Sequence, residues 1–259
     1  MRISRKLTFA FLLSASLTAA GLLVLPAFAG GEAKVEGWRI EQRSFMEGPV
    51  TLLISSKGAR IEIRRQALVC VSKAPDWKPH LFNTNSKLHY TCDNKCWQGY
   101  SPHLPIDRAT LGSATISHEF WQGLSVIRES RPVLSCDPIK EQYEMIFRDS
   151  EGRAVVFNRE DIIYCNFFKP SKEQFDFIRP LYRYKSMPNI PLACDHLYPH
   201  GKIDHTLTTS SAKKTMIDPS EFCVPPNYTL TRDRDEVLLD RAKRKMLPGV
   251  VEDMFGISK

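Results

Sequence analysis

Val50-Thr51-Leu52-Leu53-Ile54-Ser55-Ser56-Lys57-Gly58-Ala59-Arg60-Ile61-Glu62-Ile63-Arg64 is the stretch whose pattern decides the fold. Val50, Leu52 and Ile54 share one side of an extended chain, and Lys57-Gly58 supplies a turn. Ile61 and Ile63 then alternate with Arg60, Glu62 and Arg64. A period of two in which apolar and charged residues alternate marks a strand with one face in a core and one in water. Working outward, Trp38 to Arg43 alternates in the same way, and Gly48-Pro49 separates it from Val50. On the other side, Leu68 to Val71 is continuously apolar, as a strand covered on both faces requires. Leu81-Phe82 and Leu88 to Tyr90 flank the turn residues Asn83 to Ser86 and predict a hairpin.

The pattern fails from Asp93 to Arg108, where Pro102 and Pro105 leave a long loop or a join between halves. It resumes with Ala114, Ile116, His118 and Phe120 on one face, then Leu124 to Ile127 and Pro132 to Leu134. Tyr143, Met145 and Phe147 alternate with charged residues, and Ala154 to Phe157 pairs back across the turn at 149–152. Thr206 to Ser211, Lys214 to Ile217 and Glu221 to Val224 offer closing strands. Two segments read as helical. Ser171 and Gln174 have capping-box spacing before the stripe Phe175, Ile178, Tyr182, predicting a helix near 172–184 that Pro180 kinks or ends. Asp233 and Glu236 open a second one near 234–246, with Leu238, Ala242 and Met246 as its apolar stripe. The fold class is therefore mainly β: a curved antiparallel sheet or unclosed β-barrel covered by two helices.

Residues 1–29 have the form of an export signal. Arg2, Arg5 and Lys6 precede an apolar run from Leu7 to Leu25, and Ala27-Phe28-Ala29 makes a small-x-small cleavage site. Retention of the run as a membrane anchor is the other reading. Cleavage after Ala29 leaves 30–259 as a single domain in the periplasm or outside the cell, free or bound to the envelope. The formal charge of the whole chain is +7. The part after Ala29 carries +4, with 33 basic and 29 acidic residues spread along it. Nucleic acid is a poor partner for so dispersed a charge.

All seven cysteines lie beyond the leader, at 70, 92, 96, 136, 165, 194 and 223. In an oxidising compartment the default is disulfides, with the odd cysteine left over. The spacing of Cys92 and Cys96 suits a local bridge or half a metal site, but no second pair at similar spacing follows. Cys194-x-His196-x3-His200-x4-His205 is the densest set of potential ligands. Pro199 and Gly201 break any helix there, so these read as polar loop histidines and no metal or other cofactor is expected. There is no G-x-S-x-G elbow or Gly-rich phosphate loop, and Cys70 and Cys165 sit in apolar surroundings that suit inert thiols. Carboxylates at Glu160/Asp161 and Asp233/Asp235 read as turn and cap residues. Nothing here points to an enzyme.

A single curved sheet under two helices has difficulty covering its whole inner face, and an incompletely filled face is an apolar ligand cavity. Trp38, Ile40, Leu52, Ile54, Ile61, Ile63, Tyr90, Phe120, Tyr143 and Phe147 are the expected lining.

Several of the same segments resemble a bacterial secreted family. They are Trp38-Arg39-Ile40, Gly58 to Glu62, Val71 to Trp77, Leu81-Phe82-Asn83 and Lys87-Leu88. The close Phe222-Cys223-Val224-Pro225-Pro226-Asn227-Tyr228 is similar to an F-x-V-P-x-G-Y ending, with Asn227 where Gly is usual. The halves look like the outer-membrane lipoprotein carrier and receptor fold (LolA/LolB-like). That resemblance implies an unclosed antiparallel barrel holding acyl chains, with Arg60 matching an arginine that helps govern the lid. The seven cysteines and the interrupted 93–108 stretch depart from the pattern. The expected function is that of an exported, non-enzymatic protein binding a lipid or acylated protein. The alternative is a disulfide-braced cell-envelope protein-interaction module with a filled core.

Overall fold

The computed structural model describes residues 32–45, 47–93, 96–97, 109–136, 157–182 and 187–238. The leader at 1–29, the strand expected at 143–147, residues 154–156, most of the 93–108 stretch and the 239–246 half of the second helix lie outside them. Among the described residues the protein is mainly β, an unclosed sheet with two short helices. The first meander comprises β1 (Val35–Ser44), β2 (Gly48–Ser55), β3 (Gly58–Ile63), β4 (Leu68–Lys73), β5 (His80–Asn83) and β6 (Leu88–Thr91). The second comprises β7 (Ala109–Leu111), β8 (Thr115–Trp121), β9 (Leu124–Cys136), β10 (Arg159–Cys165), β11 (Pro191–Leu197) and β12 (Ile203–Ile217), followed by β13 (Thr229–Leu230). Their order is β13-β6-β5-β4-β3-β2-β1-β12-β11-β10-β9-β7, with β8 also on β9. The fifteen-residue β12 pairs with both β1 and β11 and so fuses the two meanders.

Strand pairing puts the alternating residues of the deciding stretch into register. Ile40 faces Leu52, Leu52 faces Ile61, Ile61 faces Cys70, Cys70 faces Leu81, and Leu81 faces Tyr90. Directly opposed residues share a face, so this is one apolar row across six strands. We call its side the inner face. β12 merges two expected strands into one, whereas Pro219–Phe222 forms a 3-10 turn in place of the strand expected at 221–224.

α1 (Lys172–Ile178) begins at the expected capping box, in which Ser171 and Gln174 bond each other's backbone N–H. It is shorter than the 172–184 expectation. Pro180 has no N–H for the carbonyl of Asp176, and the chain tightens into a 3-10 turn at Arg179–Leu181. α2 covers Arg234–Leu238. The Asn83 side chain donates to the Val237 carbonyl at 3.1 Å and so ties α2 to the end of β5.

Over β2–β5 the sheet is covered on both faces, as the continuous run in β4 requires. Phe177 and Ile178 of α1, Val237 of α2 and Trp97 belong to the inner core. On the outer face, Phe222 packs with Leu53 and Ile217, while Val224 and Tyr228 pack on Val69, Val71 and Phe82. The outer side of β8–β11 carries polar pairs beside the buried Val126 and Ile163. Arg128 pairs with Glu119 at 2.9 Å, and Ser130 donates to Asp161 at 2.6 Å.

Candidate functional site

The inner face carries two different surfaces. The first is the apolar field. Ile40, Leu52 and Ile61 are fully buried, and Ile54 and Ile63 nearly so. Trp38 and Tyr90 are half-buried at its margins. The chain's own groups occupy the space above it. Trp97 stacks on Phe177 with ring centroids 5.5 Å apart, and its indole N–H donates to the Phe177 carbonyl at 2.6 Å. The Cys92–Cys96 disulfide closes the turn that holds Trp97, with Cα atoms 5.8 Å apart. Trp38 lies against Phe167 and Phe168 at 4.4 and 5.7 Å.

Polar groups inside this field are satisfied. Gln42 donates to the Pro191 carbonyl at 2.8 Å and to Thr209 Oγ1 at 3.0 Å, and accepts from the Tyr182 hydroxyl. Gln174 donates to the Ser55 carbonyl at 2.6 Å. Burial raises the Tyr182 hydroxyl, and burial raises the Cys165 thiol to about 11, so both stay protonated at neutral pH.

Seven of the residues expected to line a cavity thus come together: Trp38, Ile40, Leu52, Ile54, Ile61, Ile63 and Tyr90. Phe120 does not join them, being 81% exposed on β8. Tyr143 and Phe147 lie outside the described residues. Arg60 is on the outer face, bonded to the Glu221 carbonyl at 3.3 Å and set 5.8 Å from the Phe82 ring centroid. It is separated from the apolar field by the thickness of the sheet, because Arg60 and Ile61 are consecutive in a strand.

The second surface is polar. Ser44 faces Leu207, Leu207 faces Cys194, Cys194 faces Ile162, Ile162 faces Glu129, and Glu129 faces Ile116. The inner face therefore continues across β12, β11, β10 and β9 to β8. Here it carries Glu129, Glu160, Cys194 and His196, all buried. Glu160 and His196 are cross-strand partners, with Nε2 3.3 Å from Oε2. The Phe157 ring lies flat on His196 at 4.0 Å. Burial, then Glu129, Glu160 and Cys194, pushes the Tyr164 hydroxyl up.

The sequence reading placed Cys194 and His196 in a polar loop and Glu160/Asp161 in a turn. Both are corrected: these residues lie in β11 and β10, and their burial comes from pairing across the sheet. His205 is on β12 and bonds Asp195 on the other side, at 2.7 Å. The detectable signal was the alternation Leu192, Cys194, His196, which has the strand period.

Beyond the polar surface, β8 ends the inner face with Ile116, His118 and Phe120, all exposed, Ile116 at 61%. Among the described residues β8 pairs on one side only, with β9. No helix among them is long and apolar enough to cross a membrane.

Comparison with protein-family models and with curated proteins gives no match. Among solved structures the chain is similar to one described as an uncharacterized conserved protein from Thermus thermophilus. The two are 10% identical with a TM-score of 0.30, over 76% of this chain and 90% of that one. A likeness at that level carries no argument.

Proposed function

We propose that this chain is an exported, non-enzymatic interaction module that takes up an extended segment of an envelope protein along β8. The observation that carries this reading is the contrast between two apolar sets on one face. Ile40, Leu52 and Ile61 are wholly buried, whereas Ile116 and Phe120 are mostly exposed on a strand with one described neighbour. Native sheets protect such edges, and an apolar edge left open is the usual template for strand addition. A partner strand would gain backbone bonds from β8 and cover Ile116 and Phe120 with alternate side chains.

Binding of a lipid or acyl chain over the apolar field is the competing reading. It requires Trp97, Phe177 and Ile178 to move aside, since they pack on the field. Affinity capture from envelope extract separates the two. Stoichiometric recovery of one protein, lost with Ile116→Asp/Phe120→Asp, supports the edge reading. A co-purifying lipid that a fluorescent fatty acid displaces, with capture unchanged by those substitutions, overturns it.

A further inference from the structure

We propose that Glu160, Cys194 and His196 form a binding site for a zinc-class divalent ion, bridging β10 and β11. One ligand atom from each of the three residues lies within 4.8 Å of the others. The donors are a carboxylate oxygen, a thiol sulfur and an imidazole nitrogen, the set that four-coordinate zinc accepts. The measured Nε2 to Oε2 separation of 3.3 Å is close to the ~3.3 Å edge of a tetrahedron with bonds of about 2.0 Å.

The His196 ring is 4% exposed and fixed in orientation, because Phe157 lies parallel to it, within 1°. Three protein donors leave a fourth position for water or an incoming group, the pattern of an open zinc site. The spacing Cys194-x-His196 supplies two donors and the neighbouring strand the third; His205 is not a ligand.

The test uses the whole chain without its leader, stripped with chelator and titrated with Co²⁺, then with Zn²⁺ in competition. The site predicts one ion per chain and a four-coordinate cobalt spectrum with a sulfur-to-metal charge-transfer band. Cys194→Ser should abolish that band, and Glu160→Gln and His196→Ala should weaken binding more than the 10–100-fold typical of residues behind a ligand. His205→Ala should change nothing. Should any of the three ligand variants fail to fold, a Zn²⁺-dependent rise in the melting temperature of the unaltered, stripped chain gives the same answer. Less than stoichiometric metal, a cobalt spectrum without the thiolate band, or a melting temperature that zinc leaves unchanged overturns the proposal.

Discussion

Gly58 sits under Phe222 so closely that a Cβ on it would fall 2.5 Å from Phe222 Cγ and 2.7 Å from the Ser72 carbonyl oxygen. The turn between β2 and β3 and the segment around Phe222 therefore meet through a position that has room for hydrogen alone. Gly58→Ala should destabilise the fold by about 1–3 kcal/mol through overpacking. Phe222→Ala should cost about 3–5 kcal/mol as a cavity. The double variant should be less unstable than the sum, because the alanine methyl then occupies part of the vacated space. Denaturant titration of the four proteins measures the coupling.

Trp97 closes the inner core from a turn that one disulfide holds. Trp97→Ala should cost about 3–5 kcal/mol, the range for a fully buried aromatic, and leave the Phe177 carbonyl without its donor. Replacing Cys92 and Cys96 by serine should cost less, about 2 kcal/mol, because the loop they close is short. Thermal melts with and without reductant compare the two.

Acid should weaken the β5–β6 hairpin. Burial holds the His80 and His89 imidazoles below their ordinary value of 6.5, with Lys78 adding to the effect at His80 and Asp76 opposing it. A histidine whose folded value is depressed is protonated more readily in the unfolded chain. The stability it leaves intact above pH 6.5 is thus lost as pH falls through 6.5 toward the folded values. Melting temperature measured from pH 7.5 to 5 should fall, and His80→Gln should flatten the decline.

Phe120→Asp should leave thermal stability within about 0.5 kcal/mol of the unaltered chain, since the side chain is 81% exposed. The same substitution at Leu52, which is wholly buried, should prevent folding. Circular dichroism melts of the two variants separate edge from core.

The first meander was legible because its strands have one wet face, so Arg60 and Glu62 mark the period around Ile61. Leu68 to Val71 gave its two-sided burial away by lacking any polar residue. β10 and β11 were hidden for the opposite reason. Arg159, Glu160 and Asp161 look like solvated turn residues, yet Glu160 and Asp161 are buried by partners far away in the chain. Pairing across thirty or more residues leaves no local trace, and the Glu160–His196 contact is of that kind. The apolar field was found from alternation, but its filling was not. Trp97, in the segment where periodicity fails, covers it through a bond to Phe177 that spacing does not reveal.

Photocrosslinking from two positions on the inner face tests the central claim most directly. A benzophenone side chain replaces Phe120 in one variant and Tyr90 in the other, in the exporting host. The edge account predicts a single protein adduct from position 120 and none of any kind from position 90. A lipid adduct from position 90, with nothing captured from position 120, would contradict it.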